Sequence, residues 1–162
     1  YLGVFKRAAL EAIGGYDENF IRAQDWEMNY RLRRNGGNIW FNPDLRVTYR
    51  PRSTVVTLAR QYFEYGRWRR VVSRRHQGTI NFRYLAPPLN LVINFLSILT
   101  ALFISPLFLA PVMAYLIAII GSSVVIGKSW HERVLLPIVL IVMHFSWGFG
   151  FISSPRSLVP SS

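Results

Sequence analysis

Residues 84–127 read YLAPPLNLVINFLSILTALFISPLFLAPVMAYLIAIIGSSVVIG, a run of 44 positions without one charged side chain. A soluble stretch of that length carries charge on its outer face, so this run implies a different solvent, most simply lipid. Its reading decides the second half of the chain, residues 85–152, as an all-α transmembrane region.

Three spans fit this half: about Leu89 to Ser105, Leu107 to Gly127 and Val134 to Ile152. Each is near the ~20 residues needed to cross hydrocarbon. Arg67, Arg69, Arg70, Arg74, Arg75 and Arg83 flank the start of the first span, whereas the link from Ser105 to Pro111 is uncharged. The positive-inside rule then places the basic part in the cytoplasm and, for three spans, the residues after Ile152 outside. Two spans with a buried hairpin would leave them inside. Asn90, Asn94 and His144 lie within these spans and are read as polar groups that satisfy one another between helices. The serine- and proline-rich residues 153–162 are expected to be disordered.

Towards the N-terminus the character reverses. Of 19 Lys and Arg residues, 16 lie between Tyr1 and Tyr84, as do 7 of the 8 Asp and Glu residues, within a net charge of +11. Cysteine is absent, which excludes a disulfide framework and cysteine-based zinc sites. No charged segment followed by a short apolar core marks a signal peptide. The missing initial methionine suggests part of a longer protein.

Residues 1–51 read as mixed α/β. Lys6 to Ile13 is a short helix stopped by Gly14-Gly15, and Asp25, as N-cap, opens a second that runs to about Asn35. Ile39-Trp40-Phe41 and Arg46 to Tyr49 read as strands around the turn Asn42-Pro43-Asp44. Elements this short cannot enclose a core, so they look like the edge of a larger α/β domain. Residues 52–84 form a basic linker. In it, Ser53 or Thr54 caps a helix to about Arg75 whose apolar and arginine positions interleave, as in a helix lying at a bilayer surface. Gly66 is a cost inside that helix and a point where it can bend.

The chemistry lies in Gly14-Gly15-Tyr16-Asp17-Glu18-Asn19-Phe20 and Gln24-Asp25-Trp26-Glu27-Met28-Asn29-Tyr30-Arg31-Leu32. A diglycine loop with an aromatic and acidic tail, then an acidic helix start with Arg-Leu on the same helix, resembles the C-terminal half of family 2 glycosyltransferases. The resemblance implies a partial GT-A fold in which Gly14 and Gly15 line the acceptor side. It also implies that Asp25 is the general base of an inverting transfer from a nucleotide-sugar donor. Gln24 stands where the family has Glu. A carboxylate in hydrogen-bond reach of a sugar hydroxyl takes its proton as that oxygen attacks the anomeric carbon opposite the leaving diphosphate.

Arg60-Gln61-Tyr62-Phe63-Glu64-Tyr65-Gly66-Arg67-Trp68-Arg69 is similar to the Gln-x-x-Arg-Trp of membrane-embedded members, although five residues separate Gln61 from Arg67-Trp68 here. By this resemblance Gln61, Arg67 and Trp68 bind the acceptor or the diphosphate, Arg67 as a clamp and Trp68 by stacking on a sugar. From the diglycine loop to the spans, ending in His144-Phe145-Ser146-Trp147-Gly148-Phe149-Gly150-Phe151, the arrangement is similar to succinoglycan-type exopolysaccharide glycosyltransferases. Such enzymes hold Mg²⁺ or Mn²⁺ through Asp-x-Asp in a nucleotide-binding half. Here the nearest spelling is Asp25-Trp26-Glu27, at the base position, so no metal ligand is assigned and the cation is expected outside this chain. The chain alone is then expected to be inactive. The implied partners are the donor, a glycan or lipid-linked acceptor and membrane lipids. The alternative is a non-enzymatic basic membrane anchor that binds anionic lipid or a partner protein. No nucleic-acid recognition module is present, so nucleic acid is not expected as a partner.

Overall fold

The computed structural model describes residues 3–48 and 54–159. Among the described residues six α-helices follow one another: α1 (Arg7–Glu11), α2 (Gln24–Arg34), α3 (Val55–Arg75), α4 (Phe82–Phe103), α5 (Ala110–Ile126) and α6 (Trp130–Ile152). Short 3₁₀ turns occupy Pro106–Leu109 and Arg156–Leu158.

No strand occurs among the described residues, which corrects the α/β expectation for residues 1–51. The segments expected as strands, Ile39 to Phe41 and Arg46 onwards, are irregular, and Tyr49 lies outside the described residues. A strand persists only when a neighbour pairs with its backbone. Trp40 and Phe41, 91% and 84% exposed, have no such cover.

Other local signals hold. Gly14 and Gly15 adopt φ of +75° and +72°, where a glycine pays no Cβ penalty, and they end α1. Thr54 caps α3 by accepting from the Thr57 amide at 3.2 Å, whereas Ser53 lies outside the described residues. The apolar helices begin earlier than expected at two places because polar caps sit upstream. Asn81 accepts from the Arg83 amide at 2.9 Å and Ser129 from the Glu132 amide at 3.3 Å.

Three helical segments among the described residues are long and apolar enough to cross a membrane: Phe82–Phe103, Pro106–Ile126 and Trp130–Ile152. Only 11% to 17% of their apolar windows is buried inside the protein, so most of that surface faces outward, as hydrocarbon solvent requires.

Helix α3 packs along the second half of α6, and glycines set how close they come. A Cβ on Gly66 would collide with the Trp147 carbonyl oxygen, and one on Gly150 with that of Phe63. A Cβ on Gly148 would stand 2.7 Å from the Pro87 carbonyl oxygen of α4. Gly66 therefore serves a backbone-to-backbone crossing of the kind small residues permit between membrane helices.

Phe20, Trp68, Val71 and Val72 form the buried cluster that joins the loop before α2 to α3, with the rings of Phe20 and Trp68 6.2 Å apart. Leu158 and Val159 pack against this cluster, and Ser154 is buried. The expected disorder of residues 153–162 is thereby corrected for 153–159; residues 160–162 lie outside those described. Serine and proline content suggested a free tail, but Leu158 and Val159 had a cluster to cover.

Candidate active site

Helix α2 starts behind Ala23, the one non-glycine residue with positive φ among those described, at φ 61° and ψ 17°. This left-handed conformation costs an L-residue about 1–2 kcal/mol. Such strain persists where the surroundings fix it, here the packing of Ala23 and Trp26 against the Phe20–Trp68 cluster. Asp25 is consequently the second residue of α2, not its N-cap. Its exposed carboxylate makes no hydrogen bond or ion pair with any described residue. The free amides and dipole of the helix start favour negative charge there.

Asp25 lines a cleft of about 720 Å³. Arg22, Trp26, Tyr65, Arg69, Arg83 and Tyr84 line it too, together with Pro87, Met143, His144 and Trp147 of the apolar helices. The Arg69 guanidinium lies between two rings, 4.1 Å from the centroids of both Trp26 and Tyr84. This cation–π sandwich ties α2, α3 and α4 at one point. Burial pulls the Arg69 pKa below its ordinary value, with Tyr84 acting against it. An arginine there still carries its charge, and its buried Nη1 has no hydrogen-bond partner. The cleft thus pairs a free carboxylate with cationic and aromatic walls.

Behind the site, Glu27 is 2% exposed. It receives the Arg31 guanidinium at 2.7 and 2.8 Å, and His76 Nε2 lies 3.0 Å from it. Arg31 also donates to the carbonyls of Ile13 at 2.6 Å and Gly15 at 2.8 Å. The diglycine loop is therefore fastened to α2, and α2 to the end of α3.

The residues expected to bind acceptor or diphosphate are dispersed. Gly14 and Gly15 lie at the Arg31 clamp and do not line the cleft. Gln61 donates to the Tyr65 hydroxyl at 2.6 Å and lines an adjoining groove of about 280 Å³ with Arg22, Arg60 and Glu64. Trp68 borders the cleft but is only 4% exposed, its ring committed to the cluster. Arg67 turns away, 3.4 Å from Glu64 and 4.8 Å from the Phe63 ring centroid. Helical period explains this division. Six residues advance the helix by about 240°, whereas eight return to within about 80° of the start, so Arg69 rather than Arg67 shares a side with Gln61. That signal was present in the spacing of Gln61, Tyr65 and Arg69. Nothing linear linked Trp26 to Tyr84 or to His144.

The carboxylates do not fit a divalent cation. Glu27 is consumed by Arg31 and His76 behind α2, whereas Asp25 faces the cleft. No cluster of three potential ligands occurs among the described residues.

No protein-family model and no solved structure matches the chain. It is 32% identical over 145 residues, 88% of its length, to the succinoglycan biosynthesis protein ExoA of Rhizobium meliloti. It is 28% identical over 138 residues, 84% of its length, to a dolichyl N-acetyl-alpha-D-glucosaminyl phosphate 3-beta-D-2,3-diacetamido-2,3-dideoxy-beta-D-glucuronosyltransferase of Methanococcus voltae. The chain spans 43% and 40% of these two proteins. Glycosyltransferase character of the succinoglycan type, in a protein with membrane-capable helices, is what these similarities support.

Proposed function

We propose that this chain, as a relative of succinoglycan-type glycosyltransferases, forms the acceptor side and membrane part of an inverting nucleotide-sugar glycosyltransferase. Because it spans about two-fifths of its relatives, donor binding is assigned to residues outside it, as is the divalent cation on the donor diphosphate. Residues 1–51 are then the edge of a GT-A domain, and the exposed Trp40 and Phe41 are surface for its remainder to cover.

The observation that carries this reading is the unpaired Asp25 carboxylate lining a cationic, aromatic cleft. Asp25 takes the proton of an acceptor hydroxyl as its oxygen attacks the anomeric carbon, and the nucleoside diphosphate leaves from the opposite face. Arg22, Arg69 and Arg83 provide positive potential for phosphate oxygens, and Trp26 and Tyr84 flank the path. The cleft continues to Pro87 and Met143 on apolar helices, which suits a lipid-linked acceptor better than a free glycan. Such an acceptor is presented from the bilayer, and the many arginines beside the first apolar helix argue for the cytoplasmic face.

A lipid-binding anchor without chemistry gives no role to the Asp25 carboxylate in this cleft. Arg70 covers the Phe151 ring and Arg74 donates to the Ser154 carbonyl at 2.9 Å, so those two serve packing.

The test is Asp25→Asn in the full-length enzyme. Transfer should fall by orders of magnitude while donor binding survives, and near-normal transfer would remove Asp25 from the mechanism.

A further inference from the structure

Counting hydropathy gives three crossings, which would put residues 153–159 across the bilayer from α3. Their packing places them beside it. The Ser154 hydroxyl donates to the Arg67 carbonyl at 3.0 Å, and Arg74 donates to the Ser154 carbonyl at 2.9 Å. Leu158 and Val159 cover the cluster that contains Phe20 and Trp68. The start of α4 is at the same place: Tyr84 lies over Arg69 and stacks on Trp147 at 6.5 Å. A helix with Arg67, Arg69, Arg70, Arg74 and Arg75 within nine positions does not sit in hydrocarbon. A chain that leaves one side of a membrane and returns to it has crossed an even number of times.

The packing also selects the crossing pair. Helices α5 and α6 are joined by residues 127–129 alone and run antiparallel. Near the hinge, Arg133 Nε donates to the Gly127 carbonyl at 3.0 Å. Further along, the Tyr115 hydroxyl meets His144 Nδ1 at 3.2 Å and the Tyr115 ring is 5.9 Å from that of Phe145. At about 1.5 Å per residue, Pro106–Ile126 and Trp130–Ile152 each reach about 30 Å, the thickness of the hydrocarbon core. Lys128 in the hinge and His131, Glu132 and Arg133 in the first turn of α6 belong in water. With the end of α6 on the α3 side, this hinge lies on the opposite side and α5 starts where α6 ends. Helix α4 then begins and finishes on the α3 side.

We infer that the chain crosses the bilayer twice, as the α5–α6 hairpin, and that α4 and residues 153–159 both remain with the side that bears Asp25. This rests on the packing alone and stands whether or not Asp25 is a base.

Single cysteines in an otherwise cysteine-free full-length protein test it, since this chain has none of its own. Glu18→Cys, Ser105→Cys, Lys128→Cys and Ser157→Cys would be treated with a membrane-impermeant maleimide in intact cells, in inverted vesicles and after detergent. Lys128→Cys should react from one face, and the other three only from the opposite face. Reaction of Ser157→Cys from the same face as Lys128→Cys restores three crossings and overturns the inference. So does Ser105→Cys on the Lys128 face, which would make α4 a crossing helix. A Lys128→Cys that reacts only after detergent, or from the Glu18 face, also overturns it.

Discussion

Glu27 and Arg31, one turn apart on α2, form a two-pronged ion pair at 2.7 and 2.8 Å, and through it the diglycine loop is held to the helix that carries Asp25. Since Glu27 is almost fully buried, removing either partner leaves an uncompensated charge or an orphaned loop carbonyl. Breaking a buried pair typically costs about 3–5 kcal/mol. Arg31 keeps 23% side-chain exposure, so the lower end applies. Arg31→Ala should therefore destabilise residues 10–35 by about 3 kcal/mol, read as faster amide exchange there while α5 and α6 keep their protection. Unchanged exchange in the diglycine loop would show that the clamp is dispensable.

Arg69 is the cation that three helices share, and lysine cannot replace a planar group between two rings. Arg69→Lys in the full-length enzyme should raise the acceptor KM by about tenfold, equivalent to about 1.4 kcal/mol, near the upper range of one cation–π contact. Arg67→Lys, on the other side of α3, should change it little. Equal effects from the two substitutions would mean that the cleft is not the acceptor path.

The glycines at the α3–α6 crossing predict a graded series. Gly66→Ala and Gly150→Ala force a methyl into a facing carbonyl and should each cost about 1–3 kcal/mol, measured as a lower Tm in detergent. Gly121→Ala on α5, where nothing lies within 4 Å, should be neutral or slightly stabilising. If all three behave alike, the close crossing is absent in the folded protein.

Ala23 holds a left-handed conformation before Asp25, and glycine adopts it without the Cβ penalty. Ala23→Gly should stabilise by about 0.5 kcal/mol after its entropic cost, whereas Ala23→Val should destabilise. Thermal unfolding of the two variants checks both signs. A stable Ala23→Val protein would place residue 23 in ordinary helical geometry.

Local signals in the sequence were sound wherever a few neighbouring residues suffice. Gly14-Gly15 ends α1, Thr54 opens α3, and the charge-free run holds helices long enough to span, because caps and burial in lipid are properties of a segment. The strands at Ile39 and Arg46 failed since a strand is defined by a partner, and none lies among the described residues. Asp25, expected in the site from its place after the diglycine loop, lines the cleft. Arg67 was misleading, because its residue type matched a motif whose spacing did not, and spacing decides the side of a helix.

What the sequence by itself determined is the division of this protein into a charged part and an apolar helical part, and the helix start at which Asp25 stands. Composition and short-range hydrogen bonding fix those without reference to distant residues. Only the tertiary structure decided that Arg69 rather than Arg67 lines the cleft with Asp25, and that residues 153–159 pack beside α3. Both depend on where α6 crosses Gly66 and where Tyr84 meets Trp147, and such long-range contacts leave no periodic trace along the chain.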